Sequence, residues 1–241
     1  AMAFTRPGRR EYEIEAVLLE TFRRRGAERA AYGSIVGSGP NATILHYRAG
    51  QRAVEDGELV LVDAGCEYGY YASDVTRTFP ANGRFTREQQ AVYEVVLEAQ
   101  MASIAAAVVG ATQEDVHRAS VEVLSEGLLR LGLVAGSRSE VIERELYKPF
   151  YMHRTGHWLG MDVHDVGSYF DGGAPRRFAP GYVTTVEPGL YIAKDNTSVP
   201  EGFRGIGVRI EDDILVTAEG PRNLTARVPK TVREVLQACA G

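Results

Sequence analysis

Three acidic residues close runs of apolar, strand-forming sequence. Asp63 ends Leu59-Val-Leu-Val, Glu187 ends Val183-Thr-Thr-Val, and Glu211 follows Val208-Arg-Ile. Charged side chains seldom occupy such places unless they are paired or hold a cation. Asp74 follows Asp63 closely in the chain. A two-residue turn at Tyr68-Gly69 would fold the flanking segments into a hairpin. Asp63 would then face Asp74 directly, with Cβ atoms about 5 Å apart. Two carboxylates at that distance repel each other unless a cation lies between them.

Histidines add to the pattern. Three of the five, His153, His157 and His164, fall between Met152 and Asp165. His153 and His157 have the four-residue spacing of paired ligands on a helix, but Gly156 and Gly160 argue against a continuous helix there. The glycines let backbone approach closely, which favours a site over a buried structural cluster. His46 is a fourth candidate. His117, among polar neighbours in a predicted helix, is read as structural. Strand alternation puts Arg209 and Glu211 on one face. Arg209 then either orients a metal-bound carboxylate or forms a plain surface ion pair with it. Carboxylates with one imidazole and no thiolate suit Mn²⁺, Co²⁺ or Zn²⁺ and do not resemble a structural zinc site. Two such ions, about 3.5–4 Å apart, would activate water for hydrolysis of an amide, ester or phosphoester.

A scaffold must hold these groups. Ile14, Val17, Leu18 and Phe22 recur at helical spacing and predict an amphipathic helix over 11–25. Capping boxes at Thr86–Gln89 and Thr112–Asp115 start helices that run towards Gly110 and Gly132. A shorter helix is expected over Ser139–Tyr147. Strands are expected over Leu59–Asp63 and Tyr182–Glu187, with a third where Gly207–Glu211 leads into Ile214–Thr217. Helices concentrate in the first 150 residues and strands mostly follow. The reading is one α+β domain with helices on one side of an antiparallel sheet.

The 241 residues allow one large domain or two small ones. A formal net charge of −5 argues against a nucleic-acid binder, which needs a basic excess. No apolar run is long enough for a transmembrane helix, so no membrane partner is expected. No secretory signal is visible. Cys66 and Cys239 are too few for a disulfide framework, and a reducing cytoplasm is the expected compartment. Residues 1–5 read as a cloning remnant and a disordered start, and 6–241 as a single domain.

Longer motifs carry a resemblance. They are Ile35-Val-Gly-Ser-Gly-Pro-Asn41 with Ile44-Leu-His46, Val62-Asp-Ala-Gly-Cys-Glu67, and Ser73-Asp-Val-Thr-Arg-Thr-Phe79. They continue with His153-Arg-Thr-Gly-His157-Trp-Leu-Gly160, Val163-His-Asp-Val166, Thr185–Ile192 and Gly207–Asp213. Over nearly its whole length the chain resembles Xaa-Pro aminopeptidase (aminopeptidase P) and the prolidases, among the pita-bread metallopeptidases. The resemblance implies a curved antiparallel sheet with helices on its outer face. It implies two divalent ions, manganese first, held by Asp63, Asp74, His157, Glu187 and Glu211, with Asp74 and Glu211 bridging. It implies cleavage of the bond before a proline at the second position, by attack of a metal-bridging hydroxide. Glu187 would handle a proton, His164 would stabilise the tetrahedral intermediate, and His46 would contact the carbonyl beyond the scissile bond. Tyr32, His153 and Arg209 would surround the proline ring. Peptides with an Xaa-Pro N-terminus are the implied partners, with room for a homo-oligomer. Prolidase activity on Xaa-Pro dipeptides is the alternative, and a non-enzymatic pita-bread module the remote one. An N-terminal domain usual in such proteins is expected upstream of this chain.

Overall fold

The computed structural model describes residues 1–241. Helix α1 spans Glu11–Arg24. Six strands then precede the second helix: β1 Arg29–Ala30, β2 Ile35–Ser38, β3 Leu59–Asp63, β4 Cys66–Tyr68, β5 Tyr71–Ala72 and β6 Thr76–Pro80. Helices α2 Arg87–Ala106, α3 Gln113–Arg130 and α4 Arg138–Glu143 follow. The remaining strands are β7 Phe170–Asp171, β8 Ala174–Pro175, β9 Val183–Val186, β10 Gly189–Tyr191, β11 Gly207–Arg209, β12 Asp212–Thr217 and β13 Gly220–Asn223, before α5 Val232–Ala240. All pairings are antiparallel, in the orders β2-β3-β6, β13-β12-β9, β10-β11, β1-β4-β5 and β7-β8. The expected α+β class holds. The expected split of helices first and strands later does not, because half of the pairing is completed before α2. No helix is long and apolar enough to cross a membrane.

The capping boxes form as read: Thr86 accepts from the Gln89 amide, and Thr112 from that of Asp115. α2 ends at Ala106 rather than near Gly110. The helix expected over 139–147 is shorter, ending at Glu143 before Glu145 adopts a left-handed φ of 54°. Residues 1–5, read as a disordered start, touch the core here: Thr5 is buried, and Met2 and Phe4 pack against the main apolar cluster.

Alternation along β3 explains how one strand serves two purposes. Val60 and Val62 join a cluster with Phe79 of β6, Val92 and Val96 of α2, and Leu124 and Leu128 of α3. Leu61 packs on the opposite side with Ile35 and Tyr191, and Asp63 shares that side by the two-residue period. In β6, Phe79 likewise faces the helices, while Thr76 and Thr78 turn the other way and bond with Glu211 and Arg209. The helices therefore cover one face, and the opposite face carries the polar chemistry.

The hairpin register differs from the one expected. Glu67 pairs with Ala72, and Tyr68 with Tyr71, so the turn is Gly69-Tyr70. Both turn residues have positive φ, 56° and 72°, as a tight two-residue hairpin turn requires. Asp63 therefore pairs with Thr76. Asp74 lies diagonally across rather than opposite. Moving one leg by two residues keeps every side chain on its face, so both carboxylates still point the same way. Gly65 is required where the legs close up, since a Cβ there would sit 1.7 Å from the Ser73 carbonyl oxygen.

Candidate active site

All ten side chains singled out from the sequence line one cleft of about 960 Å³. Asp63 and Asp74 come from the hairpin. His157 and Glu187 come from neighbouring extended segments. The Leu159, Thr185 and Glu187 amides donate to the carbonyls of Val183, His157 and Thr155, which lays residues 155–159 alongside β9. His153–His157 is thus not helical. Gly156 permits this approach, because a Cβ would lie 2.0 Å from the Thr185 carbonyl oxygen. Glu211 sits at a joint. The single strand expected through 207–217 breaks after Arg209, and β11 and β12 pair into different sheets. The Glu211 amide donates to the Thr76 carbonyl across that break.

Asp74, His157 and Glu211 bring ligand-type atoms within 4.8 Å of one another. Glu187 Oε1 lies 3.5 Å from His157 Nε2, and Asp74 Oδ2 lies 3.4 Å from it. Asp63 is tied to the group through Tyr32, whose hydroxyl donates to Asp63 Oδ1 at 2.5 Å and to Asp74 Oδ1. One phenolic proton serves two carboxylates. Tyr32 was read as a wall of the proline pocket, but its hydroxyl is engaged here by acidic residues. Arg209 donates to Asp63 Oδ2 at 2.6 Å, and its Nε to Thr76 Oγ1 at 3.2 Å. Thr76 Oγ1 in turn donates to Glu211 at 2.6 Å. Arg209 is buried, so the surface-pair reading of it falls.

The histidines differ in state. His157 Nδ1 lies 3.0 Å from the Trp158 carbonyl, which accepts only, so Nδ1 carries a proton and Nε2 faces Asp74 and Glu187. A bare lone pair against two carboxylates is repulsive, and a cation or a proton is needed there. Burial opposes charging His157, but the hydrogen bond to Asp74 and the charge of Glu187 carry its pKa up to about 9. Burial pushes Glu187 up to about 7 against the opposing pull of His157 and Arg209, and burial followed by the charges of Asp74, Glu187 and Asp63 holds Glu211 well above the carboxylate range. Asp63 is also raised by burial, against the pull of Arg209. His153 is held neutral, its pKa lowered to about 3 by burial and Arg209. Its Nδ1 donates to the Arg154 carbonyl at 2.7 Å, and its Nε2 accepts from Tyr191 at 2.8 Å. His164 packs edge-on against His157 at 4.3 Å, while His46 is exposed on the cleft lining. His117 bonds Thr155 and stacks near Tyr151, outside the cleft lining.

Four carboxylates with one arginine and an imidazole lone pair among them form a donor set for divalent cations. The chain therefore fits the metal pair implied by the resemblance. Glu187 is raised from 4.5 to about 7 and His157 from 6.5 to about 9. Both favour the protonated form in the fold. Their stabilisation is complete below the lower value and lost as pH rises through the higher one. His153, lowered from 6.5 to about 3, works in the opposite sense below about pH 6.5. Chelated protein is therefore expected to show a falling Tm between about pH 6.5 and about pH 9, and added Mn²⁺ to restore it most at high pH. Thermal scans with chelator or Mn²⁺ at each pH test this, and a chelated Tm that rises across the window refutes it.

Sequence reading passed over Thr76, Tyr191 and Asp213. Tyr191 joins Arg209 to His153 through its hydroxyl. Asp213 is buried and accepts from the Asp74 amide at 3.2 Å. The signal for Thr76 was present, since Asp74, Thr76 and Thr78 alternate in a segment otherwise suited to burial.

The chain matches metallopeptidase family M24 over residues 1–218. The chain belongs to that family. It is 49% identical over 235 residues to the Xaa-Pro aminopeptidase of Haemophilus influenzae, covering 98% of this chain and 54% of that protein. The Escherichia coli Xaa-Pro aminopeptidase is 48% identical over 98% of this chain and 53% of its own length. The solved aminopeptidase PepP of Pseudomonas aeruginosa superposes with a TM-score of 0.98 at 57% identity, covering 99% of this chain and 54% of that one. The chain thus spans about half the length of these relatives, and its fold is the M24 pita-bread fold.

Proposed function

We propose that this M24 chain provides the catalytic domain of an Xaa-Pro aminopeptidase. The observation that carries the reading is the convergence of Asp74, His157 and Glu211, with Asp63 and Glu187 beside them, in one cleft, in a chain 48–49% identical to proteins of that name. Asp63, Asp74, His157, Glu187 and Glu211 would hold two divalent ions, Mn²⁺ by the family resemblance. Bound there, the ions would lower the pKa of water from about 15.7 towards about 7 and polarise the scissile carbonyl.

The chain's own residues do the rest. Glu187 handles a proton for the attacking water. His164 offers an N–H to the developing oxyanion, and His46 contacts the next carbonyl of the peptide. His153 and Arg209, fixed through Tyr191, shape the place for a pyrrolidine ring, with Tyr32 holding the acidic side of the cleft. Proline offers no amide N–H, so selectivity comes from fit to the ring. An Escherichia coli aminopeptidase P structure with the inhibitor Pro-Leu supports a proline site in this fold. The two cysteines are unbridged, which suits a cytoplasmic enzyme. Homo-oligomeric assembly belongs to the same reading.

The test is a rate comparison on Xaa-Pro-Xaa tripeptides, Xaa-Pro dipeptides and Xaa-Ala-Xaa controls with Mn²⁺. Tripeptides are expected to be cleaved after the first residue, at rates at least about tenfold above both others. Preference for the dipeptide would make the chain a prolidase, and no cleavage at full metal occupancy would make it a binding module.

A further inference from the structure

A buried carboxylate outside the acidic cleft stands at the start of α1. Glu11, the first residue of α1, is fully buried, and its nearest cation, Arg52, reaches it only through the Ser38 hydroxyl, to which Arg52 donates at 2.8 Å. Its charge is met by five donors. Oε1 accepts from the Ser38 amide at 2.8 Å, the Ser38 hydroxyl at 2.7 Å and Asn41 Nδ2 at 2.9 Å. Oε2 accepts from the Tyr47 hydroxyl at 2.8 Å and the Gly50 amide at 3.2 Å. The helix N-terminus adds its partial positive charge. A lone buried carboxylate is costly unless fully bonded, so this arrangement specifies its surroundings closely.

The five donors belong to the two ends of one segment. Ser38 and Asn41 lie where the chain leaves β2, and Tyr47 and Gly50 lie where it returns. The amides of Glu11 and Tyr12 also bond the carbonyls of Arg52 and Gly50. Gly50 has no room for a side chain, since a Cβ would come 2.9 Å from the Tyr47 hydroxyl. Between the anchored ends, Ile44, His46 and Arg48 are exposed, and Leu45, His46, Tyr47 and Arg48 line the cleft. No side-chain hydrogen bond fixes His46 itself; the neighbouring Tyr47 is held by Glu11.

We propose that Glu11 is a positioning residue for His46. It clasps both ends of residues 38–50 so that the exposed imidazole is presented to the cleft at a fixed height. This rests on the peptidase reading above for its kinetic consequence, but the clasp itself does not.

The experiment pairs Glu11→Gln with His46→Ala in a double-mutant cycle, with Tyr47→Phe as a milder probe that removes one donor only. In Glu11→Gln, one acceptor oxygen becomes an amino group facing donors. A fall in kcat/KM of about 10- to 100-fold on an Xaa-Pro-Xaa tripeptide is expected, with metal content unchanged. In the His46→Ala background the same change is expected to cost under about twofold. Tyr47→Phe should lie between wild type and Glu11→Gln. Equal losses from Glu11→Gln in both backgrounds would overturn the proposal. Amide hydrogen exchange provides a reading independent of activity. Residues 39–50 should lose protection in Glu11→Gln while β3 and α2 keep theirs, and unchanged protection of that segment would sink the clasp. A wild-type protein inactive on every Xaa-Pro peptide would instead overturn the peptidase reading, leaving exchange to decide the clasp.

Discussion

Replacing Glu211 by alanine is expected to abolish peptide hydrolysis while leaving the metal-free fold intact or firmer. Glu211 is buried and belongs to the group whose ligand-type atoms lie within 4.8 Å of one another. Residues that merely support metal ligands are worth about 10–100-fold in activity, so losing a ligand should cost at least about 10³-fold. Stability should move the other way. Burial and the charges of Asp74, Glu187 and Asp63 hold the Glu211 carboxyl well above its ordinary range, so its removal relieves repulsion in the metal-free protein. Metal analysis, tripeptide kinetics and thermal scans with chelator read all three. An undiminished rate at two metal equivalents would remove Glu211 from the site. A collapsed metal-free Tm would make its role structural.

The next residue should behave oppositely. Asp212 is fully buried and accepts from five side chains: Arg77 at 2.7 Å, Gln100, Asn223 and Thr225 at 2.8 Å, and Lys230 at 2.7 Å. These acids are adjacent in the chain, but Asp212 opens β12 and faces away from the cleft. Asp212→Ala would strand Arg77, itself buried, without its partner. Breaking a buried pair from one side costs about 3–5 kcal/mol, which for a chain of this size lowers Tm by about 10 °C. Asp212→Asn keeps the shape and loses the charge, so it should fall between. Denaturant unfolding of the three proteins decides the matter, and a loss below about 1 kcal/mol in Asp212→Ala would show that the network contributes little.

These contrasts show what could be read before the fold was seen. Acids at the ends of apolar runs were visible because burial makes a charge conspicuous, and capping boxes marked the helix starts. The hairpin register was not visible. Tyr70 takes a left-handed φ, and a tyrosine gives no turn signal there, whereas Gly69 fits either turn. The break between Arg209 and Asp212 was hidden for a related reason: continuous strand propensity does not reveal a change of sheet. Glu11 looked like an ordinary acid in the first turn of a helix. Only the loop folded over it from 38–50 turns it into a buried anchor, and that is a non-local fact.

The bond from Thr76 to Glu211 joins residues 135 apart in sequence, and that separation sets an order of events during synthesis. The hairpin bearing Asp63 and Asp74 can pair as soon as it emerges, since its contacts are local. His157, Glu187 and Glu211 follow only after roughly ten seconds more of translation. Until then the nascent chain would offer only the carboxylates of Asp63 and Asp74 to a cation, a weak and unselective pair under the proposed reading. If these residues hold the proposed ions, discrimination among cations would begin once Glu211 has emerged and reached Thr76, and the choice of metal would fall to the folded domain.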